Sequence, residues 1–141
     1  MSKIFLDTNI LVYTLDNKDG EKQKQSRAVL RKILAEDLPV VSVQVLQEFY
    51  VVATTKLKAD PIKVKALVHS FGNMEVVNND MELVEQAIDI GLVSGLGFWD
   101  SLIVAAAEKA KCELILSEDL KIKINLRGIR VVNPFEEYVR E

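Results

Sequence analysis

Residues 3–13 read KIFLDTNILVY, and the change of period inside this stretch decides the fold. KIFLD is a short apolar run closed by Asp7, the pattern of a strand buried on both faces. Residues 9–15 continue as a short helix, which stops before the polar loop DNKDG at 16–20. A strand that passes directly into a helix is the first half of a βα unit. Repeats of that unit build a parallel sheet covered by helices on both faces.

The same alternation continues along the chain. Residues 21–35 set Ala28, Val29, Ile33 and Leu34 among Lys, Arg and Gln, as an amphipathic helix does. PVVS (39–42) is the second strand and 44–58 the next helix. Asp60 and Pro61 supply a cap and a first-turn proline for a helix that ends at Gly72. MEVV (74–77) is the third strand, followed by a helix over 80–93 and a break at SGLG. A very apolar helix over 100–110 leads into strands at ELILS (113–117) and IRVVN (129–133), and Pro134 starts a short terminal helix. No repeat, linker or hairpin signal interrupts this order. The expected architecture is a three-layer α/β/α sandwich with a central parallel sheet of about five strands. It should form one domain over residues 1–141.

Composition narrows the class. Hydrophobic residues are 49% and charged residues 28%, which suits a globular domain with a real core. One cysteine, Cys112, and one histidine, His69, exclude an internal disulfide and a zinc site of Cys and His ligands. Cys112 in KAKCELIL reads as a small buried hydrophobe, and His69 in ALVHSF as a packing residue. No signal peptide is evident, since Asp7 and Asn9 break the first apolar stretch. LIVAAA (102–107), one of the longest apolar runs, is far short of the roughly 20 residues a membrane span needs. A cytoplasmic protein with no membrane association is expected.

Four acids fall at the edges of apolar segments: Asp7, Glu48 in VLQEFYVV, Asp100 in GFWDSLIV and Asp119 in LILSEDL. Open parallel sheets bind ligands beyond the carboxyl ends of their strands. Asp7 and Asp119 follow the first and fourth strands, Glu48 lies in the helix after the second, and Asp100 opens the helix that feeds the fourth. Gathered carboxylates repel one another unless a cation sits among them. Mg²⁺ or Mn²⁺ suits an all-oxygen donor set and points to phosphodiester chemistry. The net charge of −3 is smaller than the charge of these four acids, so it does not exclude a nucleic-acid partner. Each acid has a plainer alternative: Asp7 and Asp100 as helix caps, Asp119 as a turn residue, and Glu48 as a solvated position.

In order and context these positions resemble the PIN-domain family of metal-dependent ribonucleases, and within it the VapC-type toxins of toxin–antitoxin pairs. The resemblance rests on FLDTNILVY, SVQVLQEFY, WDSLIVAAA, LILSED and the tail RVVNPF, and so covers nearly the whole chain. It implies that Asp7, Glu48, Asp100 and Asp119 are the catalytic metal ligands for Mg²⁺ or Mn²⁺. It further implies an RNA substrate, a cognate antitoxin whose basic side chain blocks the site, and a homodimer. Val51, Val52, Leu57, Ile62, Val64 and Leu67 would be candidates for the dimer surface, with a core position as the plainer alternative for most of them. Thr8, Asn9 and Ser117 are short polar groups placed to orient the carboxylates, and the helix starting near Asn9 would aim its positive end at them. Lys121, Lys123, Arg127 and Trp99 are the candidates for RNA contact; the plainer alternatives are a solvated face for the basic residues and a core or rim position for Trp99. The basic run from Lys18 to Lys32 reads as a solvated face.

Two features depart from the family pattern. Lys121 stands where some members carry a further acid, and the glycine often found shortly after the fourth acid is missing. Glu118 is a nearby acid with no family counterpart. No lysine or histidine base is evident near the motifs, so a metal-bound water is the expected nucleophile. The expected activity is a metal-dependent endoribonuclease, most simply a toxin. The alternatives are a housekeeping RNA-processing nuclease or a noncatalytic PIN-fold protein that binds RNA or another partner.

Overall fold

β1 (Lys3–Leu6) occupies the middle of the sheet because nothing polar interrupts Ile4, Phe5 and Leu6, all of them buried. The computed structural model describes residues 1–120 and 127–138, with side chains to residue 136. β2 (Leu38–Ser42) and β4 (Leu114–Leu116) flank β1, and β3 (Glu75–Val77) and β5 (Arg130–Val132) lie outside them. The order is β3-β2-β1-β4-β5 and every pairing is parallel. Phe5 stands opposite Val40 on one side and Ile115 on the other, so the centre of the sheet is wholly apolar. This is the expected three-layer α/β/α arrangement.

The first three connections are helical. α1 (Thr8–Tyr13) and α2 (Gly20–Glu36) lead from β1 to β2. α3 (Val43–Thr55) and α4 (Pro61–Phe71) lead on to β3, and α5 (Met81–Ser94) and α6 (Phe98–Lys109) on to β4. A turn of π-helix at Pro134–Tyr138 follows β5, where an ordinary short helix was expected. Asp19, Ser42, Asp60 and Asp80 each accept a backbone N–H at the start of α2, α3, α4 and α5, satisfying donors that would otherwise be orphaned.

Burial corrects several readings of single positions. In α2 the inward stripe is Ser26, Val29, Leu30 and Ile33, at helical spacing, while Ala28 and Leu34 face solvent. His69 is exposed on α4 rather than packed. Of the six residues considered for a dimer surface, only Val51 and Ile62 are exposed. Val64 is core, Leu67 packs against the core, and Val52 and Leu57 line a cavity described below. α6 buries every residue from Ser101 to Ala107. Its close approach to α5 depends on Gly91, where a Cβ would stand 3.2 Å from the Ser101 hydroxyl and from the Leu96 carbonyl. No single described helix is long and apolar enough to cross a membrane.

Cys112 is buried, as its apolar context suggested, and burial pushes its thiol pKa up to about 12. At pH 8 only about one thiol in 10⁴ is then ionised, and the thiolate is the reactive form. Ellman's reagent should leave the native protein unlabelled over minutes and label one thiol per chain once guanidinium unfolds it. Rapid labelling of the folded protein would contradict this burial.

Candidate active site

The carboxyl ends of β1 and β4 lie side by side, with Leu6 paired to Leu116. This pairing fixes the next residue of each strand. The Asp7 N–H donates to the Leu116 carbonyl at 3.0 Å, and the Ser117 N–H to the Val132 carbonyl at 3.0 Å. Asp7 and Ser117 therefore emerge together, and the Ser117 hydroxyl donates to Asp7 Oδ2 at 2.7 Å. The other Asp7 oxygen accepts the Thr8 N–H at 2.8 Å, so Asp7 also caps α1. Capping does not take Asp7 out of the cluster; one carboxylate caps α1 and lines the cavity at this edge.

A cavity of about 440 Å³ opens at this edge, and all four acids line it. Asp7 lies deepest and is half-buried, while Glu48, Asp100 and Asp119 sit on its exposed rim. Glu48 comes from the second turn of α3 and Asp119 from the loop after β4. Asp100 falls in the first turn of α6, which starts at Phe98 with Gly97 as its cap. The expectation that Asp100 opens the helix is corrected by two residues, and the cap alternative for it is removed.

Short polar side chains tie the acids down. Thr8 Oγ1 donates to Glu48 Oε1 at 3.3 Å, and Asn9 Nδ2 donates to Asp119 Oδ2 at 3.2 Å. Ser117 Oγ accepts the N–H groups of Asp119 and Leu120 at 3.2 and 3.0 Å while donating to Asp7. Thr8, Asn9 and Ser117 thus each hold at least one acid, and Ser117 links the two strands that carry Asp7 and Asp119.

Electrostatics matches this geometry. Desolvation raises the Asp7 pKa above the ordinary carboxylate value, with the charges of Asp119 and Asp100 adding to it and the Ser117 and Thr8 hydrogen bonds opposing it. Glu48 is raised as well, first by desolvation and then by Asp7. Its rim position lets water screen the repulsion, so the strain is concentrated on Asp7. Among the described residues no three Asp, Glu, His or Cys side chains form a ready-made metal cage. Mg²⁺ typically takes one or two protein carboxylates and fills its shell with water and phosphate oxygens. The donors are all oxygen and all acidic, so the set fits a hard divalent cation.

The RNA-contact candidates separate. Trp99 lines the cavity and is 65% exposed, with Phe98 packed edge-on against it at 5.0 Å. Arg127 is not among the lining residues; it lies 3.5 Å from Glu108. Lys121 and Lys123 lie outside the described residues. Tyr13, Asp16, Gln44 and Lys56 also line the cavity and were not singled out from the sequence. Lys56 qualifies the expectation that no lysine lies near the motifs. Two of these were reachable by helical spacing: Tyr13 is four residues after Asn9, and Gln44 four before Glu48.

No curated protein sequence matches the chain. Among solved structures, a toxin–antitoxin complex from Klebsiella pneumoniae contains a chain with TM-score 0.68 and 20% identity, covering 93% of this chain and 97% of that one. DNA-bound VapBC from Salmonella typhimurium gives 0.67 and 23%, covering 95% and 99%. VapC20 of Mycobacterium tuberculosis, a sarcin-ricin loop cleaving toxin, gives 0.64 and 17%, covering 90% and 98%. At these identities the likeness is one of fold. The family model for the PIN domain matches residues 4–125, from the central strand through all four acids, and the chain belongs to that family.

Proposed function

We propose that this protein is a Mg²⁺- or Mn²⁺-dependent endoribonuclease and the toxin of a toxin–antitoxin pair. One observation carries the reading: four carboxylates from four separate elements line one cavity at the carboxyl edge of a parallel sheet. A fold spends stability to hold such charges together, and a divalent cation repays it. Asp7, Glu48, Asp100 and Asp119 are the residues that would hold the ion. Bound there, it would supply Lewis acidity towards a phosphodiester and towards a water. The chain's own part is positional. Ser117 and Thr8 fix Asp7, Thr8 steadies Glu48, and Asn9 steadies Asp119. Such outer partners typically matter by 10- to 100-fold in metal affinity or activity.

The partner reading follows from charge. An open acidic cavity is complementary to a basic side chain, which is how a cognate antitoxin would close it. Similar chains come from a toxin–antitoxin complex and from VapBC assemblies. The homodimer reading is supported by exposed Tyr50, Val51 and Ile62 on α3 and α4. Trp99, standing at the cavity rim, offers an aromatic face to an unpaired base.

Purified protein should cleave single-stranded RNA when Mn²⁺ is present and stop when it is chelated. Asp7→Asn and Asp119→Asn should each lose activity by a factor on the order of 100 or more. Equal cleavage by wild type and both variants, or none by wild type at high enzyme, would return the chain to a noncatalytic binding role.

Metal should also stabilise the fold. At 100 times its dissociation constant Mn²⁺ adds about 2.7 kcal/mol, or a rise in Tm of about 10 °C for a chain this size. Because Asp7 and Glu48 have raised pKa values, protons compete with the ion at weakly acid pH. At a fixed Mn²⁺ concentration the rise should therefore be smaller at pH 5.5 than at pH 7.5. A rise that is the same at both pH values would count against these carboxylates as ligands.

Trp99 is the chain's one tryptophan, so its fluorescence reports directly on the rim. Single-stranded oligoribonucleotides added to Asp7→Asn should quench it. Bound oligonucleotide, seen by its own label, with unchanged tryptophan emission would place Trp99 outside the substrate path.

A further inference from the structure

We propose that Lys22, Tyr13 and Glu118 form a clamp that positions the loop carrying Asp119, with Lys22 and Tyr13 acting as positioning residues for the acidic cavity. The inference rests on the reading of Asp119 as a metal ligand.

Glu118 immediately precedes Asp119 and lines the same cavity. Left to itself it would add a further negative charge to a cavity already lined by Asp7, Asp16, Glu48, Asp100 and Asp119. Both of its oxygens are engaged instead. Oε1 accepts the Tyr13 hydroxyl at 2.8 Å, and Oε2 accepts the Lys22 ammonium. The Lys22 ammonium also donates to the Tyr13 hydroxyl at 3.3 Å, which closes a three-membered network. It lies 4.8 Å from the centre of the Tyr13 ring and 5.3 Å from that of Phe135, within cation–π reach of both. Tyr13 meets Phe135 edge-on at 5.2 Å. The Lys22 and Glu118 side chains are only 31% and 21% exposed, so this is no loose surface ion pair.

The backbone transmits the hold. The Glu118 N–H donates to Asn9 Oδ1 at 3.2 Å, and the same Asn9 amide reaches Asp119 Oδ2 through its Nδ2. Asp119 is thus set from three directions: Ser117 at its N–H, Asn9 at its carboxylate, and the clamp one residue upstream. α1 supplies Tyr13 and Asn9, α2 supplies Lys22, and the loop after β4 supplies Glu118. The clamp locks these three elements at the place where they border the cavity. Lys22 belongs to the basic run that the sequence presents as a solvated face; its partner makes it part of the site's frame. Without it Glu118 loses its counter-charge, and the loop loses its anchor to α2.

The test is Mn²⁺ binding by the full chain without RNA, followed by isothermal titration calorimetry. Lys22→Met should bind Mn²⁺ about 10- to 100-fold more weakly than wild type, the usual effect of losing an outer partner. Lys22→Arg, which keeps the charge and the ion pair, should restore most of the affinity. Glu118→Gln should weaken binding too, and the double variant Lys22→Met/Glu118→Gln should be no weaker than the weaker single, because the two act as one unit. Should Lys22→Met fail to fold by circular dichroism, Tyr13→Phe removes one donor to Glu118 and should also bind Mn²⁺ more weakly. Wild-type affinity in the folded variants, or additive losses in the double variant, overturns the clamp alone. No Mn²⁺ binding by wild type overturns the metal reading, and the clamp with it.

Discussion

A half-buried carboxylate at the end of the central strand is the constraint around which this molecule is arranged. Asp7 is the first polar side chain after three buried apolar residues, and the sheet does not let it move away. Its N–H is committed to Leu116, and its two oxygens to Ser117 and Thr8. Burial and the nearby charges of Asp119 and Asp100 oppose its ionisation, while two hydrogen bonds favour it. A charge held in that balance needs compensation of the kind a cation provides.

The surrounding polar residues follow from that need. Ser117 is nearly fully buried and uses its hydroxyl three times, once towards each of Asp7, the Asp119 N–H and the Leu120 N–H. It binds the two central strands together at the point where their acids diverge. Thr8 and Asn9, on successive positions of α1, reach different acids because adjacent helical residues point about 100° apart. One short helix therefore addresses both sides of the cavity. The clamp of Lys22, Tyr13 and Glu118 extends the same logic outward, neutralising the acid that would otherwise crowd the rim.

Membership of the PIN-domain family and likeness to VapC structures give this arrangement a context, but the chemistry has to be argued from the side chains. Identities of 17–23% with the similar structures carry the fold and no more. The local features of this site are Glu118 beside Asp119, a lysine from α2 to pair with it, and a largely exposed Trp99 next to Asp100. Lys56 at the end of α3 adds a positive charge to the cavity wall.

The strand and helix order was legible in the amino-acid sequence, because apolar runs and capping residues are local signals. KIFLD, PVVS, ELILS and IRVVN appear as strands within a residue or two of their observed ends, and Asp60–Pro61 marks its helix start correctly. The four acids were legible as a set because each follows or flanks such a segment, and strand ends share one edge in a parallel sheet. Contacts between distant side chains were not legible. Lys22 and Glu118 are 96 residues apart, and no spacing rule connects them. The inward stripe of α2 depended on which way that helix rolled against β2, so Ser26 is buried while Ala28 and Leu34 are not. Local sequence sets which elements form and in what order. How their faces turn towards one another is settled by competition for a single core, and that competition involves the whole chain at once.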